Sequence, residues 1–203
     1  MKRTLLFTTT FVCILLISGC QKEPVADFTM DREIFKMDEV ITFTNQSKSA
    51  KEFVWDFGDS KTSVEENPRH TYTSAGEFTI TLTATGGGGT NTMTKTISVL
   101  PNLSGFWLKT IRFSEFGGNI TGTMNITQHD DKTLTGSFAY DAGMGFTGSV
   151  DLLPTSYITK DSVYIKWDNS TNFNGTVNAD GKTMGGKYLS GATQVGSWTA
   201  KKL

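Results

Sequence analysis

Alternating apolar and polar residues predict short β-strands between about residues 27 and 100. Every second side chain is apolar in three runs, whose neighbours are mainly Thr, Asp and Glu: Ile41 and Phe43; Phe53, Trp55 and Phe57; and Phe78, Ile80, Leu82 and Ala84. This period is typical of antiparallel strands with one buried and one solvated face. Turn residues separate the runs, and short strands at this spacing indicate a two-sheet sandwich.

The last hundred or so residues repeat a different pattern, in which a Gly is followed two positions later by a larger apolar residue. The pairs are Gly122/Met124, Gly136/Phe138, Gly148/Val150, Gly175/Val177, Gly186/Tyr188 and Gly196/Trp198. Both members of a pair point to the same face of a strand, and glycines on an inner face let a small sheet bend sharply. The pattern predicts an up-and-down antiparallel β-barrel of about eight strands, whose interior is either filled or holds one small ligand.

The N-terminus has the layout of a secretory signal. Lys2 and Arg3 precede an apolar or Thr-containing run, Leu5–Ile17, which is shorter than the roughly 20 residues of a membrane-spanning helix. The run ends in Ile17-Ser18-Gly19-Cys20, which resembles the bacterial lipobox. That resemblance implies cleavage before Cys20 and lipidation of its thiol, and two or more acyl chains anchor a protein stably. The alternative is a plain signal peptide with a coincidental cysteine.

The three residues after Cys20 bear on the side of the membrane that the protein faces. Gln21-Lys22-Glu23 is similar to a short tag that directs display on the outer cell surface in some Gram-negative lipoproteins. The resemblance implies an outer-membrane lipoprotein of a Gram-negative bacterium, with surface exposure favoured over a periplasm-facing orientation. A solvated charged spacer explains the same three residues.

Charge and cysteine content bear on two questions: whether the protein binds nucleic acid and whether disulfides stabilise it. Removal of residues 1–19 takes two positive charges from a chain of formal net charge −1, leaving −3. A mildly acidic chain has no basic patch for nucleic acid, so no nucleic-acid partner is expected. Cys13 leaves with the signal and Cys20 is the lipidation site, so stability must come from packed cores rather than disulfides.

The first region resembles the PKD domain family. The resemblance lies in Phe53-Val54-Trp55-Asp56-Phe57-Gly58-Asp59, in Asn67-Pro68-Arg69-His70-Thr71-Tyr72, and in Gly76-Glu77-Phe78-Thr79-Ile80-Thr81-Leu82. It implies an immunoglobulin-like sandwich of an extracellular protein, used as a spacer or as a module that contacts glycans or proteins. Ser60 stands where the family usually has Gly, and Ala75 where it commonly has Pro.

The second region is similar to lipocalins and avidins. Its opening, Asn102-Leu103-Ser104-Gly105-Phe106-Trp107, resembles their Gly-x-Trp start, and strands such as Thr135-Gly136-Ser137-Phe138 look more like the avidin side. The closing strand, Gly196 to Lys202, lacks the Arg that would stack on Trp107. The resemblance implies a barrel with its ligand at one end, but it transfers no particular ligand, because fold does not fix function.

Six aromatic residues are candidates for a ligand pocket in the barrel. They are Trp107, Phe138, Tyr140, Trp167, Tyr188 and Trp198. Buried Trp and Tyr need a partner for their N–H or O–H, and a ligand can supply it. The favoured interpretation, however, is that these rings simply fill the barrel, and a ligand pocket is the alternative.

The sequence therefore predicts an all-β protein with an immunoglobulin-like sandwich followed by the barrel. The expected divisions are a signal peptide (1–19), a lipidated linker (20–26), the PKD-like sandwich (27–100) and the barrel (101–203). The favoured function is a non-catalytic binding or adhesion lipoprotein for a glycan, a protein or a small apolar ligand. The alternatives are a structural accessory subunit of a cell-envelope complex and, least favoured, a glycan hydrolase. The sequence has no Ser-His-Asp order, metal cluster or paired carboxylates, so neither catalysis nor a metal or cofactor is predicted.

Overall fold

The computed structural model describes residues 21–114, 117–141 and 148–203, and all its regular elements are β-strands. The all-β prediction is confirmed. No helix in the described ranges has the length and apolar character needed to cross a membrane. The signal segment and Cys20 lie outside the described residues, so the predicted lipidation stays a prediction.

The first domain is a sandwich of short strands around an aromatic core. Its strands are β1 (Phe28–Thr29), β2 (Ile34–Lys36), β3 (Val40–Thr42), β4 (Thr44–Asn45), β5 (Glu52–Asp56), β6 (Thr62–Ser63), β7 (Arg69–Thr71), β8 (Gly76–Gly86) and β9 (Gly89–Leu100). One sheet has five strands in the order β2-β9-β8-β5-β6, with β2 parallel to β9. The pairs β1–β4 and β3–β7 supply the remaining ladders, and the strands bury the alternating apolar residues between them.

Trp55 lies at the centre of this core. Its side chain is fully buried, its ring packs edge-on against Phe28 at 5.2 Å between centroids, and its Nε1–H donates to the carbonyl of Glu65 at 2.9 Å. The indole is thus both packed and hydrogen-bonded, as a buried Trp requires. Nearby, Ser60 has a φ of +69°, a left-handed conformation that favours Gly, which explains the glycine usual in PKD domains there.

The second domain is one antiparallel sheet of nine strands. They are β10 (Gly105–Phe113), β11 (Asn119–Gln128), β12 (Leu134–Asp141), β13 (Gly148–Asp151), β14 (Tyr157–Thr159), β15 (Ser162–Lys166), β16 (Thr171–Val177), β17 (Thr183–Ser190) and β18 (Thr193–Lys202). The order β13-β12-β11-β10-β18-β17-β16-β15-β14 pairs the first strand of the domain with its last. The predicted up-and-down arrangement is confirmed in a curled sheet that forms a half-barrel.

The curled sheet closes at one end only. The four-residue β13 pairs with the second half of β12, from Ser137 to Tyr140. At the other end of β12, Thr133 forms a bridge with Tyr157, and Leu134 N–H donates to the carbonyl of Ser156 at 2.9 Å. β13 and β14 do not pair with each other in the described part of the chain, so the described strands form no closing ladder at the end that holds β13, which we call the open end.

Polar contacts join the two domains. The carboxylate of Asp130 accepts hydrogen bonds from Lys36 at 2.9 Å and Arg32 at 3.0 Å, and Lys36 and Arg32 lower the pKa of that carboxyl. Met37 N–H donates to the carbonyl of Leu100 at 2.9 Å, and Leu100 itself packs in the second core. The connection between the two domains at Leu100 is therefore short, and contacts with both domains fix its position.

We expect Trp55→Ala to destabilise the first domain by about 3–5 kcal/mol, because it removes a fully buried indole and leaves a cavity. Denaturant unfolding followed by circular dichroism measures the change. Val54→Ala is the matched control, since the Val54 side chain is about half exposed on the same strand and should change stability by no more than about 0.5 kcal/mol. Equal effects of the two substitutions would contradict the assignment of Trp55 to the core.

Candidate functional site

The open end of the second domain contains an aromatic cleft of about 240 Å³. Eight side chains line it: Ile111, Phe113, Ile120, Phe138, Tyr140, Val150, Trp167 and Tyr188. They lie on the inner face of the curled sheet, at the level where Ile111 is paired with Ile120. We call this group the aromatic cleft below.

Four of the six candidate pocket residues come together in the aromatic cleft. Phe138 and Tyr140 lie on β12, Trp167 directly follows β15, and Tyr188 lies near the end of β17. The rings of Phe138 and Trp167 stack at 5.5 Å with 19° between their planes. Tyr188 stacks in turn on the buried Phe173 at 4.9 Å.

The other two candidates, Trp107 and Trp198, do not line the cleft. Both are buried in the core of the domain. Trp107 Nε1–H donates to the carbonyl of Leu103 at 2.8 Å, and Trp198 Nε1–H points to the carbonyl of Asn174 at 3.4 Å. Their polar atoms are satisfied by the backbone rather than left for a ligand, so these two rings fill the interior.

Four residues that line the cleft were not predicted from the sequence, namely Ile111, Phe113, Ile120 and Val150, and neither was the neighbouring Lys109. Ile111 and Phe113 follow Trp107 at every second position of β10, and Lys109 lies between Trp107 and Ile111 on the same face. The alternation that placed Trp107 inside thus also places these three inside. Ile120 lies on β11 and Val150 on β13, and neither strand carries an aromatic residue that marks its inner face.

Lys109 is a buried amine next to the cleft. Its side chain is fully buried, and its Nζ has no hydrogen-bond partner among the described residues. The Nζ lies over four rings, at 3.2 Å from the centroid of Phe173, 4.7 Å from Trp167, 4.9 Å from Phe138 and 5.3 Å from Trp198. Burial lowers the pKa of this amine well below its ordinary value, because a charged ammonium loses its hydration there.

Small residues on both sides make room for the Lys109 side chain. Its partner on β11 is Gly122 and its partner on β18 is Ala200. A Cβ on Gly122 would lie 2.6 Å from the Cα of Tyr140, so β11 and β12 approach too closely for any larger residue. Gly122 is therefore required by the close approach of the two strands, and neither Gly122 nor Ala200 presents a bulky side chain beside Lys109.

The cleft itself is weakly polar. Among the described residues that line it, the polar side-chain atoms are the phenol oxygens of Tyr140 and Tyr188 and the indole nitrogen of Trp167. Burial, and then the negative charge of Asp168, raise the pKa of the Tyr188 phenol, which therefore stays a neutral hydrogen-bond donor at neutral pH. The cleft offers a ligand apolar surface and very few polar contacts.

The polar residues of the PKD-like motif serve the turn around them. The carboxylate of Asp56 accepts from Gly58 N–H at 2.8 Å, and Asp59 pairs with His70 Nε2 at 2.9 Å. The His70 ring stacks on Phe57 at 4.1 Å, with 2° between the planes. Burial of Asp59 opposes ionisation, but its hydrogen bond and charge pairing with His70 lower the pKa overall. These groups stabilise the loop after β5.

Lys109→Met should stabilise the protein at neutral pH, because the methionine fills the same space without a buried amine. The folded pKa of Lys109 lies below the unfolded value of about 10.4, so the folded state binds fewer protons and wild-type stability rises with pH over that interval. We therefore expect the advantage of the Met variant to shrink as the pH approaches about 10.4. Urea unfolding of both proteins from pH 7 to pH 10.5 measures it.

The exposed Lys187 on β17 provides the control, and Lys187→Met should show no such trend. A Lys109→Met advantage that does not depend on pH would contradict a buried amine with a lowered pKa.

Comparisons with known proteins bear mainly on the first domain. The family model described as "PKD domain" matches residues 21–100. The solved PKD1 domain of Vibrio anguillarum Epp is 33% identical over 39% of this chain and 95% of that domain, with a TM-score of 0.34. A search of the curated proteins finds no match.

A second solved structure aligns with most of the chain. It belongs to a study of carbohydrate-binding modules of the β-sandwich superfamily with promiscuous specificity. It is 16% identical over 90% of this chain and 93% of its own, with a TM-score of 0.38. The match to the PKD family model identifies residues 21–100 as a PKD domain.

Proposed function

We propose that this protein is a non-catalytic binding protein whose second domain holds a small, largely apolar ligand in the aromatic cleft. The observation that carries the proposal is the cleft itself, in which rings and aliphatic side chains converge at the open end of the curled sheet. Ligand sites are typically concave, mostly apolar and supplied with a few polar groups. At about 240 Å³ the cleft suits a molecule of one or two rings.

The lining favours an apolar ligand over a glycan. A sugar carries many hydroxyls, and each needs a hydrogen-bond partner when it leaves water. The described lining residues supply two phenols and one indole N–H, and Ile111, Ile120 and Val150 supply none. The partly buried rings of Tyr140, Trp167 and Tyr188 instead offer apolar surface, which is matched by an aromatic or polycyclic ligand.

The described titratable groups outside the cleft support binding rather than catalysis. His70 is held by Asp59 in the first domain, and the His129 ring bonds the hydroxyl of Thr135 at 2.8 Å. Asp168 accepts from the backbone N–H groups of Ser170 and Thr171. Each group stabilises a turn or a loop instead of facing the cleft.

Anchoring through a lipid on Cys20 completes the proposal. Gln21 and Lys22 pack against Gly87 and Gly88, at the hairpin between β8 and β9. β9 then runs 12 residues to Leu100, where the second domain begins. At about 3.3 Å per residue this strand spans about 40 Å. The PKD domain would then act as a spacer that holds the cleft away from the membrane surface.

We expect the neutral fluorophore N-phenyl-1-naphthylamine to bind the protein, and Trp167→Ala to weaken that binding about tenfold. The substitution removes one face of the Phe138–Trp167 stack, and a loss of about 1.4 kcal/mol corresponds to tenfold. Fluorescence titration of the probe measures the affinity. Phe106→Ala is the matched control, because Phe106 is an exposed ring on the opposite half of β10. Equal affinity of the two variants, or no binding by the wild type, would contradict the proposed cleft.

Cys20→Ala should move the protein out of the membrane fraction, because no acyl chains can then be attached. Cell fractionation with immunoblotting measures the distribution. Cys13→Ala is the control, since Cys13 lies inside the apolar run, and this variant should stay in the membrane fraction. Retention of the Cys20 variant on the membrane would overturn the lipid anchor while leaving the cleft untouched.

A further inference from the structure

Lys109 is a polar group that the packing of the domain does not require. The neighbouring Trp107 and Trp198 both have backbone partners for their N–H groups, whereas Lys109 Nζ has no hydrogen-bond partner among the described residues. A buried donor without a partner is costly, and an apolar residue of the same length fills the space without that cost. A group kept at such a cost directly behind the lining of a cavity indicates a role with a ligand.

The amine lies one ring away from the aromatic cleft. Phe138 and Trp167 line the cleft on one side and stand 4.9 Å and 4.7 Å from Lys109 Nζ on the other. Lys109 also directly precedes Ile111 on the inner face of β10. Trp167 follows the end of β15 and is only partly buried, whereas Phe138 is buried, so Trp167 is the ring that must turn aside for a ligand to reach the nitrogen.

We propose that Lys109 is a covalent attachment site, whose amine forms a reversible imine with the carbonyl group of an apolar aldehyde or ketone held in the aromatic cleft. The inference rests on the proposed function, because the cleft must first bind the apolar part of the molecule. It adds the chemical class of the ligand and the atom that captures it.

The reaction needs no partner beyond water. The nitrogen lone pair attacks the carbonyl carbon, a C–N bond forms, and the C=O π electrons move to oxygen to give a carbinolamine. Transfer of the two amine protons to that oxygen and loss of water leave a C=N double bond. One amine and one carbonyl thus give one imine and one water, with no change of oxidation state.

The surroundings of Lys109 favour a carbonyl over an anionic ligand. An ion pair would require both an ammonium and an anion to lose their hydration among four aromatic rings, and such desolvation offsets most of the Coulomb attraction. A neutral imine carries no such cost. The lowered pKa of the amine is consistent with this chemistry, because the unprotonated amine is the nucleophile, whereas a solvated lysine is protonated at neutral pH.

The test treats the purified protein with 2-naphthaldehyde and sodium cyanoborohydride at pH 7, followed by peptide mapping. The hydride reduces the imine and fixes the naphthylmethyl group on the reacting lysine. We expect Lys109 to be modified at least tenfold faster than any solvent-exposed lysine, and Lys109→Met to lose this fast phase. Lys187 is exposed on β17, so the Lys187→Met variant should keep the fast modification of Lys109.

Calorimetric titration with 2-naphthalenemethanol separates this inference from the proposed function, because the alcohol has the same rings but cannot form an imine. If the alcohol binds and Lys109 stays unmodified, the imine is overturned and the cleft stands. If neither binding nor modification of Lys109 occurs, both proposals are overturned. Binding of the alcohol to wild type and Lys109→Met alike, together with fast modification of Lys109, supports both. The wild-type peptide map decides the covalent step without relying on any variant.

Discussion

The second domain depends on how closely its strands approach each other on the inner face. At Gly122 the backbone of β12 stands where a Cβ would be, so a larger residue would push the two strands apart and flatten the sheet. The curl that results brings β10 and β18 together and gathers aromatic rings from several strands into one interior. Because β13 is short and pairs with only half of β12, the curl stops before full closure. The aromatic cleft is the space left at the open end.

A lysine lies inside this domain beside small residues. Gly122 and Ala200 flank Lys109 on its two neighbouring strands. Phe138 and Trp167 line the cleft and also lie next to Lys109 Nζ. The same two rings therefore form part of the apolar cleft and help to exclude water from the amine. Asp130 of the second domain pairs with Lys36 and Arg32 of the PKD domain.

The periodicity of the sequence predicts which face of a strand a residue occupies, but not how deep along the strand it lies. Alternation was enough to predict the all-β fold and the up-and-down order of the second domain, and the repeated Gly pattern was enough to predict its curl. It could not separate Trp107 and Trp198 from Trp167 and Tyr188, which line the cleft. Trp107 lies toward the other end of β10, and Trp198 is paired with Ile111 at the level of the cleft but is buried in the core. Lys109 was missed because a charged residue between apolar ones is normally solvated. Lys109 shares the inner face of β10 with Trp107, and its full burial shows that it points inward.

The central claim is that an apolar ligand occupies the open end of the second domain, and methyl NMR tests it most directly. The cleft contains the methyl groups of Ile111, Ile120 and Val150, while Val54 and Val64 are exposed on the PKD domain. With 2-naphthalenemethanol added, the account predicts nuclear Overhauser effects from the naphthalene protons to the three cleft methyl groups. Effects only to Val54 and Val64, or to no methyl group at all, would contradict it.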